Sequence, residues 1–304
     1  MIAFNHFIDF EDEPQLTTPE HNLLLPTFSI ILDNNKTDFS KKFTYISGKA
    51  ELSRRNIRYF AEKPYENCGE GCSWGIEVKD VLLISWVSGE STVLYRPLKL
   101  YTPELLQFWI LHTIIPMILA LDERYQVMHI AGVEIDDKAI LFSADSFGGK
   151  STLTDYFIQK GEYFYGDDTL GISCDRYGCV VIPSYPYCRP YREAESLGVK
   201  SLRWQKNPKN ISAIFVLVQT AKEGALVITK LSGIDKYRAL HHAFFLNFDF
   251  LKQAHFQWSN QFLTQVEVLE ITIPWEIERL EEVYESIKNY VVNELNSNYG
   301  KIEL

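Results

Sequence analysis

The sequence predicts a mixed α/β protein in which a small β-rich N-terminal region precedes a larger α/β core. Short apolar runs, separated by turn-forming pairs such as Ser88-Gly89, fill residues 27–100 and indicate strands. Further along, a strand pattern at Lys138–Ser143, a glycine-containing loop and a helical pattern follow one another. We therefore place a β-rich region at residues 1–104 and an α/β domain at residues 105–304.

The N-terminal region is expected to begin as an irregular arm and to continue as a small antiparallel sheet. Residues 1–25 are acidic, contain prolines and show no clear periodicity. Alternating and apolar runs then mark the strands. The predicted strands are Phe28–Leu32, Phe43–Ile46, Trp74–Val78, Val81–Val87 and Thr92–Tyr95.

The most apolar stretch, Leu105–Leu121, is expected to be a buried helix that opens at Pro103-Glu104 and is kinked at Pro116. Because it is interrupted by polar residues and is short for a membrane span, we expect no membrane partner. The N-terminus has neither a basic region nor an apolar signal core. These features predict a soluble, cytoplasmic protein.

Composition limits the partners and the redox state. The net charge of −10 argues against non-specific binding to nucleic acid, whose phosphates would be repelled. The five cysteines are odd in number and scattered, so we expect reduced thiols and no disulfide framework. Cys68 and Cys72 are close together, but no second close pair supports a zinc site.

The loop after the strand Lys138–Ser143 has the layout of a phosphate-binding loop. Glycines allow main-chain N–H groups to approach an anion, and the following helix places its positive end there. Lys150 adds a charge for the β- and γ-phosphates, and Ser151 supplies a hydroxyl for Mg²⁺. The alternative is a serine- and glycine-rich turn beside a surface lysine. The residues expected to contact a nucleotide are Ser146, Phe147, Gly148, Gly149, Lys150, Ser151 and Thr152.

Two further groups are expected near this loop. The aromatic strand Tyr163–Gly166 ends in Asp167-Asp168, which suits one carboxylate in a Mg²⁺ shell and one as a general base. A plain strand-ending turn is the alternative. His129 begins the strand that precedes the loop strand, so it should lie at the same end of the sheet.

The remaining elements complete the predicted core. Strands are expected at Leu170–Cys174, Cys179–Ile182, Ile214–Val218, Ala225–Leu231 and Val266–Ile273. Residues 234–265 have a mostly helical pattern, and a last amphipathic helix is expected to start with Pro274 in its first turn. His241, His242 and His255 lack the spacing of a metal site and are interpreted as surface or satisfied core residues.

Taken in order, His129 to Ile135, Ala144 to Ser151 and Gly166-Asp167-Asp168 resemble the HPr kinase/phosphorylase superfamily over roughly residues 105–295. The chain looks like its HPr-kinase-related members, some of which phosphorylate a serine on a small precursor peptide. The resemblance implies a P-loop core like the HPr kinase C-terminal domain, which is similar to PEP-carboxykinase. It also implies ATP and Mg²⁺ as cofactors.

By this resemblance, Lys150 binds phosphate, Ser151 binds Mg²⁺ and His129 lies near the transferred phosphate. One of Asp167 and Asp168 is the base and the other a metal ligand. Family members are often oligomers, which leaves a homo-oligomer open.

The chain departs from the family pattern. Ala144 and Phe147 stand at glycine positions, with Gly148 expected to restore flexibility one position later. No Glu-x-Arg-Gly segment of the true HPr kinases is present, which argues against HPr as substrate.

Three functions follow as hypotheses. The first is an ATP-dependent kinase that acts on a serine of a small protein or peptide. The second is a kinase for small hydroxyl compounds built on the same core. The third, motivated by the altered loop glycines, is a nucleotide-binding sensor that transfers no phosphate, although the intact Asp167-Asp168 pair argues against it.

Overall fold

A computed structural model describes residues 1–17, 24–35, 37–145, 147–189 and 193–295. The chain divides into two compact units. The first comprises residues 1–125 with a short return segment at 192–197, and the second comprises residues 126–191 and 198–304. The boundary thus lies after the apolar helix, later in the chain than the predicted division at residue 104.

The first unit is built on one sheet. Among the described residues it has nine strands: β1 Ile2–Ala3, β2 His6–Phe10, β3 Thr27–Leu32, β4 Tyr45–Ile46, β5 Ala50–Leu52, β6 Arg55–Ala61, β7 Ser73–Val78, β8 Leu82–Val87 and β9 Thr92–Pro97. Strands β6 to β9 form an antiparallel meander. Strand β3 pairs in parallel with both β2 and β9.

Two predictions for this region are wrong. The expected irregular arm supplies β1 and β2, whose Phe7, Ile8 and Phe10 are buried. The sheet is mixed, because β3 pairs in parallel with two neighbours, and it is larger than predicted, because the predicted strands did not include β1, β2, β5 or β6. The polar residues Arg55, Asn56 and Arg58 interrupt the apolar residues of β6, so the strand is less apolar than its neighbours.

The apolar segment is helical, as predicted. It comprises α1 Pro103–Trp109, a π-helical stretch Ile110–Ile114 and α2 Ile115–Leu121. Thr102 caps α1, since its side chain accepts a hydrogen bond from the Leu105 N–H. Pro116 lies just after the π-helical stretch, which supplies an irregularity of the kind a proline requires. By length and composition this helix alone among the described residues could cross a membrane, with a mean hydropathy of 1.7, but 72% of that window is buried.

The cysteine prediction is wrong for four residues. Cys68 pairs with Cys72 in the first unit, and Cys174 pairs with Cys179 in the second. The second pair joins directly opposite positions of neighbouring strands, which brings the two sulfur atoms together although the residues are five positions apart. Cys188 is a buried free thiol.

The second unit has a nine-stranded sheet among its described residues, with helices on both faces. Its strands are β10 Gln126–Met128, β11 Ala131–Ile135, β12 Lys138–Ser143, β13 Tyr163–Gly166, β14 Leu170–Asp175, β15 Gly178–Ile182, β18 Lys209–Thr220, β19 Ile228–Lys230 and β20 Glu267–Pro274, while β16 Tyr187–Cys188 and β17 Val199–Lys200 form a separate pair. Its helices are α3 Lys150–Gln159, α4 Gly233–Leu240, α5 Lys252–Gln265 and α6 Leu280–Tyr290.

Strand β12 is central and buried on both faces. On one face Leu141 joins a core cluster with residues of α4 and α5, such as Leu240 and Phe262. On the other face Phe142 packs against Phe157 of α3, which in turn contacts Tyr284 of α6. This two-sided burial explains why the strand is a continuous apolar run rather than an alternating one.

Strand β12 matches its predicted bounds, and β11 turns into it through Asp136 and Asp137, both with positive φ. Two other predictions need correction. Pro274 ends β20 instead of starting the last helix, which begins at Leu280 after a 3-10 turn at Ile277–Arg279. The helical pattern of residues 234–265 is split between α4 and α5 by irregular chain around Phe244.

Candidate functional site

The strand pairing brings the three predicted groups to one edge of the second sheet. Strand β11 is antiparallel to β12, so the start of β11 lies where β12 ends, with Ala131 opposite Phe142. Strand β13 is antiparallel to β11 and ends at the same edge, with Gly166 opposite Gly132. His129, the loop after Ser143 and the Asp167-Asp168 pair therefore share this edge, as the sequence predicted.

The loop backbone is tightly constrained. Phe147 and Gly149 adopt the left-handed conformation, with φ of 63° and 88°. Gly148 does not, but an added Cβ would lie 2.6 Å from the Cβ of Ala144 and 2.8 Å from the carbonyl oxygen of Asp145. The expectation that Gly148 restores flexibility is therefore wrong: Gly148 is required by space, while Phe147 itself takes the strained conformation.

Lys150 begins α3 and is buried, with only 3% of its surface exposed. Its ammonium group donates a hydrogen bond to the carbonyl oxygen of Ala144, 2.7 Å away. This contact folds the side chain back towards the start of the loop, so that its charge lies beside the main chain at Ala144. A buried ammonium needs such oxygen partners, and a phosphate oxygen is a stronger acceptor than a carbonyl.

Asp167 is also buried, with 3% of its surface exposed. Its Oδ2 accepts a hydrogen bond from the main-chain N–H of Arg189 at 2.7 Å, while Oδ1 accepts none from a described residue. Burial, and to a lesser extent the charge of Asp168, raises the pKa of Asp167 to about 6. The Arg189 N–H, the Ser151 hydroxyl and the Cys188 thiol lower this pKa, but by less than burial raises it.

Asp168 lies between two cationic or protonatable groups. Its Oδ1 is 3.4 Å from Nδ1 of His129, and its Oδ2 is 3.8 Å from Nη1 of Arg189. His129 is held by a hydrogen bond from its main-chain N–H to the carbonyl oxygen of Ala243. The two aspartates therefore differ: Asp167 is enclosed, and Asp168 is held in an ion-pair network.

Arg189 contacts both aspartates, and the sequence did not predict it as a site residue. The available signal was its position after the proline-containing segment Pro183-Ser184-Tyr185-Pro186, about twenty residues beyond the aspartates. Its contact with both aspartates depends on the chain returning past β13, where the Ser184 N–H donates to the Tyr165 carbonyl. Gly166 permits this approach, because an added Cβ would lie 2.3 Å from Oγ of Ser184.

The other predicted contact residues have different positions. Ser151 is in the first turn of α3, close enough to Asp167 to influence its pKa. Thr152 faces an apolar cavity on the far side of the loop. Ser146 lies outside the described residues. His242, interpreted from sequence as a surface or core residue, has its Nε2 3.7 Å from Oδ1 of the loop residue Asp145.

The residues fit the Mg²⁺ ion that a phosphate loop implies. The buried Oδ1 of Asp167 lacks a hydrogen-bond partner among the described residues, and the Ser151 hydroxyl is nearby. No cluster of three or more histidine, cysteine or acidic side chains in the described chain forms a complete metal cage. Mg²⁺ does not need one, because it is commonly held by one or two protein ligands together with substrate phosphates and water.

Comparison with known proteins yields little. No family model matches the sequence, and no curated protein matches it. Among solved structures, the chain is similar to the Hpr(Ser) kinase/phosphatase from Coxiella burnetii, with 13% sequence identity and a TM-score of 0.35. The match covers 57% of this chain and 99% of that chain. The likeness is weak, so membership of the kinase superfamily stays a prediction, whereas the mixed α/β class is confirmed by the fold.

Proposed function

We propose that the protein is an ATP-dependent kinase that transfers the γ-phosphoryl group to a hydroxyl group, with a serine of a small protein or peptide as the acceptor. The observation that carries the proposal is the meeting, at one sheet edge, of a buried lysine and a carboxylate pair of which one member, Asp167, is buried. Lys150 and Asp167 are each 3% exposed, and buried ionisable groups that lie close together are concentrated at functional sites because burying them is costly.

The loop and the start of α3 would bind the phosphates. Main-chain N–H groups at a helix N-terminus favour anions, and α3 presents them next to Gly149. The Lys150 ammonium is a triple donor and donates one hydrogen bond to the Ala144 carbonyl oxygen. The β- and γ-phosphate oxygens would accept hydrogen bonds from this ammonium, because they are stronger acceptors than neutral oxygens.

The carboxylates would divide the chemistry between them. Ser151 and Asp167 would hold Mg²⁺, which offsets the charge of the β- and γ-phosphates when bound. Asp168, positioned by His129 and Arg189, would accept the proton of the acceptor hydroxyl. The acceptor oxygen then bonds to the γ-phosphorus, the bond from that phosphorus to the β–γ bridging oxygen breaks, and ADP leaves.

The test is phosphotransfer from γ-labelled ATP to two panels: serine-containing small proteins and peptides, including any precursor encoded beside this chain, and free hydroxyl metabolites. We expect labelled peptide, and we expect Lys150→Ala to reduce its formation about a hundred-fold, since one charge-stabilising group is worth on the order of 3 kcal/mol. Lys230→Ala is the matched control, because that lysine is exposed and pairs with Glu267.

Three outcomes would contradict the proposal in different ways. Full activity in Lys150→Ala would show that the loop lysine does not take part in phosphotransfer. Label on a metabolite alone would assign the acceptor to the small-molecule class. Tight ATP binding with no transfer to either panel would indicate a nucleotide sensor.

A further inference from the structure

An apolar groove lies on the side of the loop opposite the aspartates. Strand β20 is parallel to β18, which is parallel to β12, so the segment after Pro274 emerges at the same edge as the loop. Trp275 contacts the loop there: an added Cβ at Gly149 would lie 3.2 Å from Cζ3 of its ring. We call this space the Trp275 groove. Its lining residues are Gly148, Gly149, Thr152, Leu153, Ile273, Pro274, Trp275, Glu276, Ile277 and Leu280.

The groove is apolar, aromatic and open. Trp275 is 52% exposed and Ile277 is 75% exposed, which is unusual for large apolar side chains placed side by side. The acidic residue in the lining, Glu276, is held by Lys222 at 2.8 Å. The surface therefore suits a flat, uncharged ring better than another phosphate.

The size of the groove also limits its ligand. Its volume is about 200 Å³. Pockets for complete drug-sized ligands are larger, roughly 300–1,000 Å³. The groove therefore matches a fragment such as one planar ring system, with the rest of the ligand lying outside it along the loop.

The sheet order separates the groove from the acidic cluster. The strands run β13-β11-β12-β18-β20, with Asp167 and Asp168 after β13 and Trp275 after β20. From β13 to β20 the distance is four strand spacings, about 19 Å. A complete nucleotide lying along the loop would thus have its γ-phosphate towards the aspartates and its base towards Trp275, with the phosphates and the ribose between them.

We propose that the Trp275 groove is the nucleobase subsite, in which the purine ring of the nucleotide stacks on the Trp275 indole. The inference rests on the proposed function, because it requires a nucleotide on the loop. Stacking uses the face of the ring, which every base has, so the groove adds affinity without strong selection among bases.

The experiment compares Mg·ATP with Mg·tripolyphosphate, which has the phosphate chain and lacks the base. Both are titrated calorimetrically into the wild-type chain, Trp275→Ala, Trp275→Phe and Lys150→Ala. We expect Trp275→Ala to weaken ATP binding roughly 5- to 150-fold and to leave tripolyphosphate binding unchanged. Trp275→Phe keeps a stacking face and should retain most of the affinity, whereas Lys150→Ala should weaken both ligands.

The outcomes separate this inference from the proposed function. If the wild-type chain binds neither ligand, the phosphate loop and the proposed function fail with it. If tripolyphosphate binds but Trp275→Ala changes both ligands equally or neither, the base lies elsewhere and the groove assignment is wrong. If Trp275→Ala spares ATP binding and raises only the KM for the acceptor, the groove binds the acceptor and the assignment is also wrong.

Discussion

The two sides of the loop after β12 differ in which kind of side chain is buried and which is exposed. On the β11 and β13 side, charged groups are buried: Asp167 is 3% exposed, and Asp168 is held between His129 and Arg189. On the β20 side, apolar groups are exposed, with Trp275 half-exposed beside Gly149. Each arrangement is unfavourable for an empty protein, and each becomes favourable when a ligand covers it.

This difference between the two sides would orient a ligand that has one charged end and one apolar end. A nucleotide has a charged end and an apolar end, and the loop between the two sides would hold the middle. Charge placement would then decide where transfer occurs, while the groove would decide only how tightly the nucleotide binds. Changes on the two sides should therefore affect different measured quantities.

The largest effect is expected on the charged side. Asp168→Asn removes the proposed base but keeps the size of the side chain, so kcat should fall about 10²- to 10⁴-fold. The KM for ATP should change little, since Asp168 is not a proposed phosphate contact. Asp249→Asn, at an exposed residue paired with Lys252, is the matched control in steady-state assays. Retention of wild-type kcat by Asp168→Asn would show that the base is another group.

A second effect concerns stability. Asp167 has its pKa raised from 3.8 to about 6, so the folded state prefers the protonated carboxyl. The unfolded carboxyl ionises first as pH rises, so stability falls between pH 3.8 and about 6 and remains lower above that range. The cost of ionisation in the fold is on the order of 3 kcal/mol.

Asp167→Asn should therefore stabilise the ligand-free protein by up to about 3 kcal/mol at pH 8, and by almost nothing near pH 4. Asparagine can still accept the Arg189 N–H through its carbonyl oxygen. Urea unfolding at the two pH values measures the difference. An equal gain at both would mean that packing, and not the carboxylate charge, is responsible. The same variant should lose phosphotransfer, which would show that the reaction needs the Asp167 carboxylate although its charge destabilises the fold.

The smallest effect is expected in the loop between the two sides. Phe147 has φ of 63° and is 76% exposed, so its side chain contributes little burial while its backbone is strained. Phe147→Gly should stabilise the protein by about 0.5–1 kcal/mol, because glycine adopts this conformation without a Cβ penalty but loses more chain entropy.

Gly148→Ala is the comparison variant in which the opposite effect is expected, because the new Cβ would lie 2.6 Å from the Cβ of Ala144. It should destabilise the protein in the same unfolding assay. A loss of stability in Phe147→Gly, or none in Gly148→Ala, would show that the loop relaxes when its side chains change.

Much of the site could be predicted from local sequence. The run Lys138–Ser143, the glycine pair and the helical spacing after Lys150 are contiguous signals, and each element forms where the pattern places it. The Asp167-Asp168 pair and His129 were also located, because strand ends that follow short connections return to the same sheet edge. These predictions rest on hydrophobic periodicity and backbone chemistry, which act over a few residues.

Other features depended on long-range contacts that periodicity does not encode. The first strands were not predicted because β2 is stabilised by its pairing with β3 and not by a strand pattern in its own sequence. The Cys174–Cys179 pair forms because the strand register of β14 and β15 places the two residues opposite each other. Arg189 reaches the acidic side of the loop because the chain returns past β13. Trp275 reaches the other side because β20 pairs in parallel with β18.

The amino-acid order was thus sufficient to predict the glycine-containing loop after β12 and the acidic pair, since both lie in short, contiguous segments. Which aspartate is buried, which is held by Arg189, and which face of the loop is apolar emerged only from folding. Burial, and with it the raised pKa of Asp167, is a property of everything that surrounds a side chain, and those neighbours come from strands far apart along the chain.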